Sequence, residues 1–215
     1  MSVPLPTPPL VEKWQKWFLT IRGEMLFLLS HREMYRQIAG MIQANPSLPE
    51  TSVVYEWITW GYGHSSAATV RRLVDRRPDT ISLRRLLEDI KRHPRETTRS
   101  WLISHYPFAL RHKAEEVFNA FAPSGGEFID PQVIRGDVSR LEDEIGLIKK
   151  FVDEHVAHHA VKAKPAPTFA DLHQAIDVLS ELTNRYGQLL VQGGALEPVV
   201  LEDWKLVFRV PWASS

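Results

Sequence analysis

The strongest constraint on the fold is the spacing of apolar residues, which recur three or four positions apart along most of the chain. This spacing places them on one face of an α-helix, and stretches rich in Pro or Gly separate the successive runs. No long stretch alternates polar and apolar residues, and no repeat of roughly 20–50 residues is present. The sequence therefore predicts an all-α bundle of six or seven helices, in which short Pro- and Gly-rich connections join long helices.

Capping residues predict where several helices begin. Asp130 and Pro131 fit the N-cap and the first position of a long helix. Thr168, with Asp171 three residues later, is typical of a capping box. Pro94 suits the first turn of another helix, and we expect a helix to start there.

We expect one domain with two short extensions. Residues 1–10 contain four prolines and predict an extended N-terminal tail before the helical bundle of residues 11–195. Residues 196–215 form an aromatic C-terminal tail that we expect to dock on the bundle. The 7 tryptophans, among them Trp57 and Trp60, are interpreted as core and docking residues, because no alternating basic–aromatic pattern surrounds them.

The composition excludes several classes of function. The 26 basic residues balance the 26 acidic ones, so any contact with a nucleic acid must come from a local patch. The chain contains no cysteine, which excludes disulfides, thiolate metal sites and cysteine nucleophiles. No apolar run approaches the roughly 18 residues that a membrane span needs, and the N-terminus lacks the features of a signal peptide. We therefore expect a soluble, cytoplasmic protein without a membrane contact.

Three histidines stand together near the end of the long helix predicted after Pro131. His155 and His159 are one helical turn apart, and His158 lies beside them. Because imidazole titrates at about pH 6.5, a positioned histidine can take a proton from a ribose 2′-hydroxyl or give one to a leaving oxygen. A second interpretation is that these histidines are partly exposed and stabilise the C-terminus of the helix through their positive charge.

A third interpretation is a metal site, since two histidines at this spacing can bind one ion. Such a site needs a third ligand. The following predicted helix offers Asp171, His173 and Asp177, but no HExxH pattern or second cluster supports them. The prediction is therefore that the protein has no metal and no cofactor.

The charge is distributed unevenly along the chain. The segment 71–99 carries ten basic and five acidic residues, whereas the segment 127–154 carries four basic and eight acidic ones. A basic stripe of this kind can follow the phosphates of a nucleic acid. The two segments can equally attract each other, either within the bundle or between subunits.

Four stretches of the sequence together resemble the HEPN superfamily, and more closely its branch related to the abortive-infection protein U. They are residues 68–75 (ATVRRLVD), residues 79–87 (DTISLRRLL), the helix end at 156–158 (VAH) and residues 203–212 (DWKLVFRVPW). The resemblance covers most of the chain, starting from about Trp14.

The resemblance implies a compact helical bundle that is often a homodimer. Many HEPN proteins are metal-independent ribonucleases of toxin–antitoxin and phage-defence systems, and their motif is an Arg followed a few residues later by a His. The motif histidine corresponds to His158. The segment 151–154, Phe-Val-Asp-Glu, stands where the motif has Arg, and Lys162 is the nearest cation one turn beyond His158.

The resemblance thus implies a protein of a bacterial defence or toxin–antitoxin system, with endoribonuclease activity as the leading expectation. His158 is the expected general acid or base, and His155 or His159 assists it. RNA phosphates would contact Lys162, Arg71, Arg72, Arg76 and Arg77. One alternative is a catalytically inactive helical protein that binds an antitoxin or another defence protein, and a second alternative is a metal-binding protein that uses the histidine cluster.

Overall fold

The prediction of an all-α bundle is confirmed. The computed structural model describes residues 4–45, 52–156, 166–199 and 202–209. Within these ranges the chain forms seven α-helices: α1 (Pro9–Gln43), α2 (Val53–Leu73), α3 (Leu83–Arg92), α4 (Arg99–His105), α5 (Arg111–Asn119), α6 (Pro131–Phe151) and α7 (Phe169–Val191). A π-helical turn, Val152–Val156, continues α6, and short 3-10 helices span Phe108–Leu110 and Glu202–Arg209.

Four long helices build the body of the molecule. Helix α1 packs against α2 and α7, and α6 packs against α2 and α7, so that the four helices share one core. Helix α3 packs on α6 and α1, while α4 and α5 pack on each other and α5 contacts α7. The apolar stripe of α7 is the most continuous, since its buried residues recur every three or four positions from Leu172 to Leu190.

A buried polar cluster joins α6 to α7 inside this core. Asp137 is 7% exposed, and it accepts hydrogen bonds from Nη1 of Arg185 at 2.8 Å and from the hydroxyl of Tyr186 at 2.8 Å. Burial raises the pKa of Asp137, and burial together with the neighbouring Asp137 raises the pKa of Tyr186. Two donors thus compensate a carboxylate that the fold removes from water.

Two of the three predicted helix starts are confirmed. The side chain of Asp130 accepts a hydrogen bond from the backbone of Gln132, with Pro131 at the first helical position. Thr168 and Asp171 form a capping box, in which each side chain accepts a bond from the other's backbone.

The start predicted at Pro94 is wrong. Helix α4 begins only at Arg99, and the side chain of Thr98 caps it by accepting a hydrogen bond from the backbone of Trp101. Thr98 is held in an extended conformation because it forms an isolated antiparallel bridge with Phe128. That long-range pairing competes with the helix that Pro94 would start.

The ends of the bundle differ slightly from the predicted boundaries. Helix α1 takes in the last two residues of the predicted tail, because a proline at its first position is already set for helical geometry. After α7, the backbone of Leu196 donates to Asn184 Oδ1 at 2.8 Å and that of Val199 donates to Ser30 Oγ at 2.9 Å. Among the described helices, none combines the length and the apolar character that a bilayer crossing requires.

Candidate functional site

The predicted histidine cluster begins in the segment that directly follows α6. The helix changes to a π-helical turn at Val152, and the backbone of His155 lies in this turn. His158, His159 and Lys162 lie outside the described residues, so their predicted roles stay predictions. The turn itself packs on α2, the helix that carries Arg71 and Arg72, two of the four predicted RNA-binding arginines.

Arg71, in the last turn of α2, connects this helix to the π turn. Its Nε donates a hydrogen bond to Asp153 Oδ1 at 2.7 Å, and its Nη1 lies 3.5 Å from a carboxylate oxygen of Asp75. The ammonium group of Lys149, one turn before Asp153 on α6, donates to the other carboxylate oxygen of Asp153 at 2.6 Å. Two cations from different helices therefore meet at one carboxylate, two residues before His155.

These contacts also set the protonation state of Asp153. Burial alone would raise the pKa of its carboxyl, but hydrogen bonds and charge from Lys149 and Arg71 outweigh that effect and hold the pKa below its ordinary value. Asp153 is therefore ionised at neutral pH, and it fixes the positions of the two cations beside it.

The other three predicted arginines also contact carboxylates. Arg72 contacts Glu24 at 2.7 Å, Arg76 contacts Glu142 at 2.7 Å, and Arg77 contacts Asp75 at 3.0 Å. The side chains of these arginines are more than half exposed.

The basic and the acidic segments of the sequence thus attract each other within the bundle, which is one of the two possibilities that the charge pattern left open. Ion pairs between exposed groups contribute only about 0–1 kcal/mol, so an arginine of this kind can exchange its carboxylate for a phosphate at little cost. The pairing is therefore compatible with RNA contact at these arginines, which remains a prediction.

An apolar cavity of about 420 Å³ lies between α2, the end of α6 and the start of α7. Trp60, His64, Phe151 and Phe169 are among the residues that line it. The ring of His64 stacks on Trp60 with their centroids 4.1 Å apart, and it meets the edge of Phe151 at 6.0 Å.

Two of the tryptophans that were interpreted as core or docking residues, Trp57 and Trp60, do not lie in the core. Trp57 is 73% exposed and Trp60 is 62% exposed, whereas Trp14 and Trp101 are buried. The exposed pair lies on the N-terminal half of α2, where Val53 and Val54 are exposed as well.

The three additional ligands considered for a metal site have other partners. Asp171 caps α7, Asp177 binds Arg32 at 2.5 Å, and Nε2 of His173 lies 3.0 Å from the hydroxyl of Tyr62. Burial, together with the charges of two nearby arginines, lowers the pKa of His173. Among the described residues, no group of three or more His, Asp or Glu side chains is arranged to hold a metal ion.

Lys149 and Arg84 take part in these contacts but were not among the predicted site residues. The four-residue spacing between Lys149 and Asp153 is a signal for this contact, because side chains four apart on a helix are neighbours. Arg84 contacts Glu142 through Nε at 2.7 Å, and the 58 positions between them leave no local signal.

The family comparison agrees with this architecture. The family model HEPN_AbiU2, described as AbiU2, matches residues 12–204, which is most of the chain. No curated protein and no solved structure gives a significant match. The matched range contains the buried helical core except for Val11, together with helix α2 and the π turn that follows α6. The chain therefore belongs to the HEPN_AbiU2 family and is a HEPN protein of the abortive-infection type.

Proposed function

We propose that this protein is a metal-independent endoribonuclease of a bacterial defence or toxin–antitoxin system. His158 acts as the general acid or base, and His155 or His159 assists it. The observation that carries the proposal is the hydrogen bond from Arg71 to Asp153, because it brings a guanidinium from α2 to the turn that leads into the histidines. The chain has no Arg at the motif position on α6 itself, and Arg71 takes over its electrostatic role from the neighbouring helix.

The proposed reaction uses the RNA's own hydroxyl group as the nucleophile. A neutral histidine takes the proton of a ribose 2′-hydroxyl while that oxygen attacks the adjacent phosphorus. The bond from phosphorus to the 5′-oxygen breaks, and a protonated histidine gives its proton to that leaving oxygen. The products are a 2′,3′-cyclic phosphate and a free 5′-hydroxyl, and no metal-bound water takes part.

The two cations at Asp153 have a defined task in this reaction. Negative charge grows on the non-bridging phosphate oxygens in the transition state, and preorganised donors stabilise it. Arg71 and Lys149 together carry one positive charge more than Asp153. Asp153 holds both cations in place before the substrate arrives, so that little reorganisation accompanies the reaction.

A second copy of the chain and a protein partner belong to the proposal. In a homodimer, two histidine segments would face each other and form one RNA-binding groove. An antitoxin or another defence protein would control access to that groove. The exposed apolar residues on the first half of α2 are suited to such contacts, because aromatic residues are enriched in protein interfaces.

The test is cleavage of total RNA by purified protein in EDTA. We expect the wild-type protein to degrade RNA and the variant His158→Ala to be inactive with an unchanged thermal unfolding curve. His112→Ala is the matched control, because His112 is exposed on α5, away from the proposed site, and should retain activity. Retained cleavage by folded His158→Ala would remove the catalytic role of His158.

The second candidate is a catalytically inactive HEPN protein that binds an antitoxin or another defence protein. The exposure of Val53, Val54, Trp57 and Trp60 on one half of α2 favours it, since large apolar side chains that are exposed close together are typical of an interaction site. The same incubation separates the two candidates. Absence of cleavage across several RNAs, in a protein that is folded and binds its partner through α2, would support the second one.

A further inference from the structure

A small charged cavity lies beside α6, before the histidine segment. It has a volume of about 240 Å³ and lies between the end of α2, helix α3 and the middle of α6. Its charged lining consists of Arg76, Arg84, Lys149 and Glu142, and the remaining lining is Val74, Leu141, Ile145 and Gly146. Three cations thus face a single carboxylate in a cavity with an apolar floor.

Two arginines donate hydrogen bonds to the same carboxylate oxygen of Glu142, which is an unusual arrangement. Arg76 donates from Nη2 to Glu142 Oε1 at 2.7 Å, and Arg84 donates to the same oxygen from both Nε and Nη2. A guanidinium normally binds a carboxylate as a fork, with one donor for each oxygen. Here two guanidiniums share one oxygen atom, whereas a backbone phosphate, with two non-bridging oxygens, would give each guanidinium an oxygen of its own.

Arg84 is largely buried, so its guanidinium is held in position before an anion binds. Its side chain is only 14% exposed, and its other acidic neighbour, Glu88, lies at 3.7 Å. A cation that is removed from water in this way needs a firmly held anion. The side chain of Glu142 is 37% exposed, so it can turn toward solvent when a stronger anion enters.

The same two arginines also face a second cavity of about 150 Å³. Arg85 and Arg92 line it together with the two acids Glu88 and Asp89. Arg76 and Arg84 therefore line both cavities, and the lining of each cavity is positive on balance.

The size of the first cavity limits what it can hold. Pockets for drug-sized ligands occupy roughly 300–1,000 Å³, so this cavity suits a phosphate group whose attached nucleosides stay outside it rather than a whole nucleotide. Glu142 and Phe151 are nine residues apart on α6, which places the carboxylate shared by Arg76 and Arg84 about 14 Å along the helix axis from the turn, whereas Lys149 lines the end of the cavity that is nearer to the turn. A phosphate that binds between the two arginines is therefore a different one from the phosphate that is cleaved.

We propose that Arg76, Arg84 and Lys149 form a phosphate subsite that binds the RNA backbone at a distance from the scissile bond, with Glu142 as the carboxylate that occupies it when no RNA is bound. This inference rests on the proposed function, because it names RNA as the source of the phosphate. Lys149 connects the subsite to the cleavage site, since it lines the cavity and also binds Asp153.

The first arm of the test uses a gain of binding, which unfolding cannot imitate. The variant Glu142→Gln removes the competing charge and should bind RNA about threefold or more tightly than the wild type. The probe is a fluorescent single-stranded oligonucleotide with 2′-O-methyl groups, which cannot be cleaved, so the readout does not depend on nuclease activity. Glu181→Gln is the matched control, because it disrupts the exposed pair between Arg140 on α6 and Glu181 on α7 and should leave affinity unchanged.

The second arm uses a loss of binding and its salt dependence. Arg76→Met should weaken RNA binding and reduce the slope of log affinity against log salt by about 0.7, the value for one phosphate contact on a single strand. Arg140→Met removes an exposed arginine of α6 that does not line the cavity, and should retain the wild-type affinity. Equal behaviour of the two arginine variants, or of Glu142→Gln and Glu181→Gln, would overturn the proposal.

Calorimetric titration with inorganic phosphate separates the two sources of the anion. Tighter phosphate binding by Glu142→Gln together with tighter RNA binding supports the subsite as stated. Tighter phosphate binding with unchanged RNA binding would overturn the assignment to the RNA strand. If the wild-type protein cleaves no RNA but the binding changes occur as expected, the proposed nuclease activity fails while the subsite stands.

Discussion

Arg71 on α2 and Asp153 in the π turn after α6 are joined by a hydrogen bond of 2.7 Å, although 82 positions separate them in the sequence. This contact places a cation from the basic segment next to the start of the histidine segment. Asp153 is held on its other side by Lys149. In the proposed reaction, the guanidinium that acts together with the histidines therefore comes from a second helix rather than from the motif position on their own helix.

Replacement of Arg71 tests this relationship. Arg71→Ala should lower the rate of RNA cleavage about 100-fold, as removal of one preorganised charge stabiliser does in other enzymes. The free energy of unfolding should fall by only about 1 kcal/mol, because the side chain of Asp153 is 39% exposed and water screens the pair. Arg140→Ala disrupts another ion pair between helices and is the control for stability. If Arg71→Ala reduces cleavage no more than Arg140→Ala does, Arg71 has no role in the reaction.

The buried carboxylate of Asp137 predicts that two Tyr→Phe substitutions lower the free energy of unfolding by different amounts. Tyr186→Phe removes a donor to this charged group and should lower the free energy of unfolding by about 2 kcal/mol. Tyr106→Phe removes a hydrogen bond to the neutral backbone oxygen of Gln188 and should cost about 1 kcal/mol. Urea unfolding of the two variants measures the difference, and equal losses would contradict a special contribution from the charged acceptor.

Two glycines differ in the space around them, so that their replacement by alanine should change the stability of the protein in opposite directions. A Cβ atom at Gly187 would lie 2.8 Å from Cζ of Phe18, so Gly187→Ala should destabilise the protein by about 1–3 kcal/mol. At Gly136 on α6 a Cβ meets no atom within 4 Å, and Gly136→Ala should stabilise the helix by about 0.5–1 kcal/mol. Thermal unfolding measures both effects, and a Gly187→Ala variant that is at least as stable as the wild type would show that Phe18 moves aside without loss of stability.

The pH dependence of stability should reflect Asp89, which connects α3 to α1. Burial alone would raise its pKa, but hydrogen bonds from Lys13 at 2.8 Å and Trp14 at 2.9 Å outweigh burial, and the pKa lies below its ordinary value. Because the folded-state pKa is lower than the unfolded one, the stabilisation is present above about pH 4 and is lost as the pH falls through the folded-state pKa.

The substitution Asp89→Asn should therefore lower the melting temperature at neutral pH, and its curve should approach that of the wild type below about pH 4. Asp143→Asn, which removes an exposed carboxylate of α6, controls for the change in net charge. A difference in melting temperature that stays constant between about pH 3 and pH 7 would contradict the assignment to Asp89.

The sequence predicted the helices well because their signals are local. The cap of Asp130 and the box formed by Thr168 and Asp171 depend on residues within one helical turn, and the apolar period marks the buried face directly. The start predicted at Pro94 failed because the pairing of Thr98 with Phe128 is not local.

The candidate site was predictable only in part, for the same reason. The sequence singled out the basic segment and the histidine segment, but which charges would meet depends on how α2, α3 and α6 pack. Three contacts between side chains that lie 58 to 82 positions apart, those of Arg71, Arg76 and Arg84, decide the geometry. The helical period also gave no warning that Trp57 and Trp60 would be exposed, since apolar residues occur on more than one face of α2.

The most direct test of the account compares a defined RNA with the same strand carrying 2′-deoxyribose at the cleaved position, in EDTA, for wild type, His158→Ala and Arg71→Ala. The account predicts that only the wild-type protein cleaves efficiently, only the strand with the 2′-hydroxyl is cut, and the product ends in a 2′,3′-cyclic phosphate. Equal cleavage of both strands, or undiminished cleavage by folded His158→Ala, would contradict it.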